Sequence, residues 1–150
     1  MERTYIGDLG AKTGETILVK GWVDVRRDQG KMVFFDLRDM TGYIQGVVLP
    51  NRPEVIEVAK TCRPETVVAV QGIVNKRPER NVQAGKQNGD IELEITSIEV
   101  LNYAEPLPFE INVDTKEVGE DVRLAHRYLD LRSARMQRNM RMRDKVVQYL

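Results

Sequence analysis

GWVDVRRDQGKMVFFDLRDMTGYIQ, Gly21 to Gln45, reads as two long strands and the start of a third. After Gly30, strict alternation assigns Met32, Phe34, Asp36 and Arg38 to one face and Val33, Phe35 and Leu37 to the other. Past the Met40-Thr41-Gly42 turn, Ile44 joins the apolar face, while Tyr43 and Gln45 join the mixed one. An aromatic ring, an amide and two arginines therefore share an open sheet face. Phe34 is the odd residue, because a large ring stands where a solvated strand face is normally polar. With Arg26 and Arg27 near enough to attract phosphate, this is how a platform for a stacked base is built. A lone Phe on the second face of a sheet nevertheless packs under a loop or helix more often than it holds a ligand. The stretch sets the fold; function needs further residues.

Outward from it, residues 1–15 form a lead-in that ends in a Thr13-Gly14 turn. From Thr16 the pattern is that of a strand, with Ile17, Val19, Gly21, Val23 and Val25 alternating against Leu18, Lys20, Trp22, Asp24 and Arg26. Gly21 inside this run predicts a bend or bulge that lets one strand serve two sheets. The third strand ends near Leu49 and Pro50. Pro53 to Thr61 then has Pro at a helix start and Val55, Ile56 and Ala59 at helical spacing, widened by Val58. Thr66 to Val74 is β-branched and apolar almost throughout, as a buried closing strand should be. RPERNVQAGKQNG, residues 77–89, has no apolar periodicity, and a loop of this length in a compact domain is functional or mobile. Asp90 to Leu101 is the last strand, Ile91, Leu93 and Ile95 alternating with Glu92, Glu94 and Thr96.

Three strands, a helix, then two strands is the order of an all-β OB-fold, a five-stranded Greek-key barrel with a helix between strands 3 and 4. In that barrel the second and third strands and their neighbouring loops form the oligonucleotide-binding face. The barrel domain is expected over residues 1–103 and an extended linker with Pro106 and Pro108 over 104–120. C-terminal helices are expected over 121–150. There Val122, Ala125, Leu129 and Leu124, Tyr128, Leu131 make a broad apolar face with arginines outside it. A final helix starts at a Ser133 cap and runs through Leu150. Its stripe of Met136, Met140, Val147 and Leu150 has no evident cover in so short a chain, and it looks like the cut edge of a longer protein.

A length of 150 residues allows one domain with an appendage and a real core. No apolar run approaches membrane-spanning length, and MERTYIGDLG lacks a charged and apolar leader. A soluble, cytoplasmic protein is expected, with no membrane partner. The single Cys62 cannot form an internal disulfide and has no metal-ligand spacing around it, so it should pack as a small hydrophobe. His126 is alone and reads as a helix-surface or hinge residue. The 23 basic and 23 acidic residues cancel. From Asp121 on, eight Lys or Arg face three Asp, so residues 121–150 carry five positive charges and residues 1–120 five negative. A general nucleic-acid-coating protein, whose affinity comes from phosphate neutralisation, is disfavoured. A selective reader of a few exposed bases is not.

Taken together, GWVDVRRDQGKMVFFDLRD, GYIQGVV, RPERN, GDIELE and RYLDLR, in this order over nearly the whole chain, resemble the N-terminal region of bacterial-type aspartyl-tRNA synthetases, class II enzymes. In that family an OB barrel binds the tRNA anticodon, a hinge containing an RYLDLR-like stretch follows, and the next helix begins the motif 1 dimer interface. The resemblance implies that Phe34 stacks on the central uracil and Gln45 bonds its edge. It likewise assigns Arg27 to the third anticodon position or its phosphate and Glu92 to the first base, a guanine or its modified form. Arg77 and Asn81 match polar loop positions near the same nucleotides. Val25 departs from the pattern, standing where many members have another basic residue.

Chemistry is compatible with these roles. A carboxylate accepts from the guanine imino and amino donors and repels pyrimidine carbonyls, whereas Gln45 offers a donor and an acceptor side by side, the complement of a uracil edge. Without the resemblance, Arg77 and Asn81 read as solvated loop residues, Glu92 as one charge on a wet strand, and the arginines after Arg123 as a solvated helical face. The family's ATP and aspartate contacts lie in motifs beyond Leu150. These 150 residues are therefore expected to bind the tRNA(Asp) anticodon stem-loop and to catalyse nothing, with no catalytic residue, metal or cofactor of their own and no DNA partner. The whole ligase is expected to be a homodimer that attaches aspartate to tRNA in translation with ATP and Mg2+. Three rival readings share part of the pattern: the equivalent domain of a lysine or asparagine tRNA ligase, a freestanding single-strand-binding OB protein, and an oligomerisation module built on the terminal helices.

Overall fold

The computed structural model describes residues 1–149 and divides into two compact units, 1–105 and 106–150. The first is a closed barrel of five strands in the order β1-β2-β3-β5-β4. β1 is Thr16–Gln29, β2 Met32–Arg38, β3 Tyr43–Val48, β4 Val67–Lys76 and β5 Ile91–Asn102, and helix α1, Pro53–Thr61, lies between β3 and β4. All pairings are antiparallel except β3 with β5, which closes the barrel through the pairs Gly46 with Leu93 and Val47 with Glu94.

The period-2 pattern does what it predicts. Val33, Phe35 and Leu37 are buried in the barrel with Ile44, Val48, Val70, Leu93 and Ile95, while Met32, Phe34, Asp36 and Arg38 face outward. Ile6 and Leu9, from a 3-10 turn over Ile6–Lys12, are also fully buried in this core. The lead-in is therefore part of the barrel. Its period of three over one short turn is too brief to stand out from loop sequence. Cys62 is buried in the same core, and desolvation pushes its thiol up, against the lowering effect of Thr61 and Arg26.

β1 serves both neighbours, pairing with β4 from Thr16 to Trp22 and with β2 from Trp22 to Gln29. Gly21 lies at this crossing because a Cβ there would stand 2.2 Å from the carbonyl oxygen of Arg38. The irregularity itself is at Asp24: Val23 pairs with Leu37, but Val25 pairs with Asp36. One inserted residue reverses the phase of the rest of the strand. Val25 turns outward, Arg27 comes to lie opposite Phe34, and Arg26 opposite the buried Phe35.

Arg26 is thus not on the platform where simple alternation puts it. Its Nη1 donates to the carbonyls of Lys60 and Cys62, the latter at 3.0 Å, and so satisfies the C-terminal end of α1.

In the second unit, residues 104–120 are not a bare linker. The segment from Pro106 on belongs to this unit and contains a 3-10 turn, Thr115–Glu117, whose Thr115 is buried. The helical stretch expected from Asp121 is divided at His126 into α2, Glu120–Ala125, and α3, Arg127–Asp130. Only Leu129 of its apolar face is buried, while Leu124 and Tyr128 are exposed. The break lets Asp130 turn inward, where its carboxylate accepts from the Thr115 hydroxyl at 2.8 Å and from Arg127 at 2.6 Å. His126 packs edge-on against Phe109 and Tyr128. α4, Ala134–Tyr149, begins at Ser133, whose Oγ accepts from the Met136 N–H. Leu150, expected at the end of the apolar stripe, lies outside the described residues.

Candidate nucleic-acid interface

The outer face of β1, β2, β3 and β5 is built by register. Arg27 is opposite Phe34, Phe34 opposite Val47, and Asp36 opposite Gln45. Across the parallel seam Val47 pairs with Glu94, which puts Gln45 and Glu92, each two residues earlier, next to each other on that face. Phe34 is half-buried on the open side of the sheet and lies outside the core. A groove of about 660 Å³ runs over the platform and is lined by Arg27, Phe34, Gln45, Arg77 and Asn81 among others. A second of about 360 Å³ shares Phe34, Gln45, Arg77 and Asn81 with it and adds Glu92. All six residues singled out in the sequence thus border one continuous depression.

Their states differ. The Gln45 amide and the Glu92 carboxylate have no hydrogen-bond or ion-pair partner among the described residues. Both are partly exposed, so water meets their needs until a ligand replaces it. Arg27 is held in a two-pronged pair with Asp36, Nη1 to Oδ2 at 2.9 Å and Nη2 to Oδ1 at 2.8 Å. The fork fixes the guanidinium beside Phe34, and the carboxylate offsets its charge toward a phosphate. Exposed as it is, this pair adds under about 1 kcal/mol to stability.

Arg77 was expected as a polar loop residue approaching the ligand, but it is 92 % withdrawn from solvent, with only 8 % of its surface exposed. Its Nε donates to the Ile91 carbonyl at 2.9 Å and its Nη1 to the Asn81 carbonyl at 3.5 Å. It ties the loop to the start of β5 and so positions Asn81, whose side chain is free at the groove wall.

The loop over residues 77–90 is anchored rather than loose. Asn88, in the left-handed region at φ 54°, donates from Nδ2 to the carbonyls of Ile6 at 3.1 Å and Tyr43 at 2.9 Å. Gln87 donates to the Thr41 carbonyl at 3.0 Å. The lack of apolar periodicity marked residues 77–89 as a loop; the long-range carbonyl partners of Asn88 left no trace in the sequence. Asp39 anchors the same rim. Its carboxylate accepts from the N–H groups of Ile6, Thr41 and Gly42 and from the Thr41 hydroxyl. Desolvation raises its pKa, yet these hydrogen bonds outweigh it and hold the group below its ordinary 3.8.

Further along the face, Arg38 lies over the Trp22 ring at 5.5 Å and is paired with Asp24 at 3.1 Å and with Glu65. Desolvation raises the Asp24 pKa, only partly countered by Arg38. Sequence reasoning did not single out Asp36, Arg80 or Lys86 for this site. All three line it, but nothing in an aperiodic loop or a lone strand acid marks them.

Residues 17–101 match the tRNA anti-codon family described as OB-fold nucleic acid binding domain. The chain is 47% identical over 152 aligned positions to an aspartate–tRNA(Asp/Asn) ligase of Thermosynechococcus vestitus, covering 99% of this chain and 25% of that protein. Among solved structures, asparaginyl-tRNA synthetase from Pyrococcus horikoshii is 26% identical with a TM-score of 0.78, over 99% of this chain and 33% of that one. Aspartyl tRNA synthetase from Entamoeba histolytica is also 26% identical, with a TM-score of 0.77, over 91% of this chain and 33% of that one. The chain spans about a quarter of the length of the curated relatives it matches.

Proposed function

The chain belongs to the family of OB-fold nucleic acid binding domains of the tRNA anti-codon type, and from that premise we propose that it reads the anticodon of tRNA(Asp) as the N-terminal region of an aspartate–tRNA ligase. The observation that carries this reading is the pair of polar side chains without a protein partner among the described residues, Gln45 and Glu92, side by side across the β3–β5 seam and bordering the same groove as Phe34. An open ring flanked by one amide and one acceptor-only acid is chemistry for base edges, which carry sequence information.

In this reading Phe34 stacks on the central uracil, which contributes about 1 to 3 kcal/mol. Gln45 pairs its donor and acceptor with the uracil edge. Glu92 accepts from the imino and amino groups of the first-position guanine, an arrangement no pyrimidine satisfies. Arg27, preset by Asp36, meets the third nucleotide, and Arg77 supports Asn81 at the rim.

The whole ligase would activate aspartate with ATP and Mg2+ and transfer it to the tRNA, in the cytoplasm and as a homodimer, the barrel supplying identity through differential binding. Among the described residues no group of three or more His, Cys, Asp or Glu is arranged to hold a metal ion, and no step of that chemistry is assigned to them. No described helix is long and apolar enough to cross a membrane.

Competition binding of hairpins with GUC, UUU and GUU anticodons tests the proposal. GUC should compete best and UUU worst, with GUU separated from GUC only by the third position. Preference for UUU would transfer the reading to a lysine ligase, and indifference among the three would leave a general single-strand binder.

A further inference from the structure

The groove extends past the residues that a triplet occupies. Tyr43 lies two positions before Gln45 on the same outer face, about 7 Å away along β3. That distance is comparable to the reach of one unstacked nucleotide. Its ring is 52 % exposed, and among the described residues its side chain has no hydrogen-bond, ring or cation partner. Arg38, its neighbour across the strand pair, is turned toward β1, engaged by Trp22, Asp24 and Glu65. On the other side β3 has no strand partner at this level. The Asn88 amide bonds the Tyr43 carbonyl in place of a ladder and holds the loop as a wall.

Tyr43 and Lys86 line the same groove, and Lys86 makes no ion pair among the described residues. Of the two acids nearby, Asp36 is taken by Arg27 and Asp24 by Arg38, so neither presents a bare charge to a phosphate. Arg27 borders this arm and Glu92 borders the other. On the anticodon reading, which gives Arg27 the third position and Glu92 the first, the groove arm that holds both Tyr43 and Arg27 is the third-base side.

We propose that Tyr43 is a second stacking platform, taking the base of the nucleotide immediately 3′ of the triplet, with Lys86 meeting that nucleotide's phosphate. The assignment rests on the anticodon reading above. It makes the recognised unit four nucleotides, three read by their edges and one held by its face, which is sequence-tolerant because every base has a π-face.

The 150-residue chain is titrated with a GUC hairpin and with the same hairpin carrying an abasic site 3′ of the triplet. Tyr43→Ala should weaken binding to the intact hairpin about five- to fifty-fold, Tyr43→Phe should preserve it, and Tyr43→Ala should cost nothing further on the abasic hairpin. Lys86→Gln should lower the salt dependence by the equivalent of one phosphate contact. Equal affinity of Tyr43→Ala and the parent while Phe34→Ala loses binding would overturn the second platform and leave the anticodon reading intact. A full Tyr43→Ala loss on the abasic hairpin would also overturn it. Unchanged binding by both variants would bring down the anticodon reading and the second platform with it.

Discussion

Phe34 owes its place to the alternation of β2, which spends Val33, Phe35 and Leu37 on the core and leaves one ring outside. The ring is half-buried and lies outside the core, so Phe34→Ala should cost about 1 to 2 kcal/mol of stability, below the roughly 3 to 5 kcal/mol of a core Phe→Ala, while hairpin affinity drops by about 1 to 3 kcal/mol. A melt and a titration on the same sample separate these. Glu92→Gln exchanges an acceptor-only group for one that also donates, and should flatten the preference among the four bases at the first anticodon position; an unchanged ranking would remove Glu92 from the reading set. Asp39 is a stability residue of the rim. Its folded pKa is depressed, so the stabilisation it supplies is fully present above the ordinary value of 3.8 and is lost as pH falls through the folded value. Asp39→Asn should therefore cost about 1 to 3 kcal/mol at neutral pH and progressively less below pH ~4. Urea midpoints measured across that range would show a constant difference if the carboxylate were irrelevant.

At the scale of elements, the bulge in β1 decides which arginine meets the ligand. Adding one residue after Asp24 should slip the rest of β1 by one position against β2, turning Arg26 outward and Arg27 toward the core, and both stability and hairpin binding should fall together. The crossing beside it is equally strict. A methyl at Gly21 meets the backbone of Arg38, which cannot give way as a side chain tip can, so Gly21→Ala should lower the urea midpoint by the equivalent of about 1 to 3 kcal/mol. The 77–90 loop depends on one side chain for its seat. Asn88→Ala leaves the Ile6 and Tyr43 carbonyls without that donor, and amide exchange over residues 78–89 should accelerate while the strands stay protected.

The molecule as a whole carries no net charge, and its basic excess lies in residues 121–150, outside the barrel. Few cations border the groove: Arg27, already paired, Arg77, largely spent on carbonyls, and Arg80 and Lys86 on the loop. Binding carried by base stacking and edge contacts, with two or three phosphates neutralised, should give a slope of log K against log salt no steeper than about −2. A slope near −5 would indicate a phosphate-coating mode. Helix α4 leaves Met140 and Val147 exposed on one side and Met142 and Val146 exposed on the opposite side.

What could be read directly was whatever depends on near neighbours in the chain. Period-2 runs determined the strands, Pro53 and the spacing of Val55, Ile56 and Ala59 determined α1, and strand order determined the barrel. The outward placement of Phe34 and Gln45 followed from the same alternation, since a pleated strand has only two sides. The three-dimensional structure decided everything that hangs on contacts distant in sequence. The extra residue at Asp24, set by pairing with β2, moved Arg26 to the end of α1 and Arg27 beside Phe34. Burial against Ile91 made Arg77 a brace. The Asn88 amide, reaching carbonyls 82 and 45 residues away, turned an aperiodic loop into a wall. Alternation is local and leaves a trace in the sequence, whereas register and long-range hydrogen bonds are set by how the closed barrel brings remote backbone together.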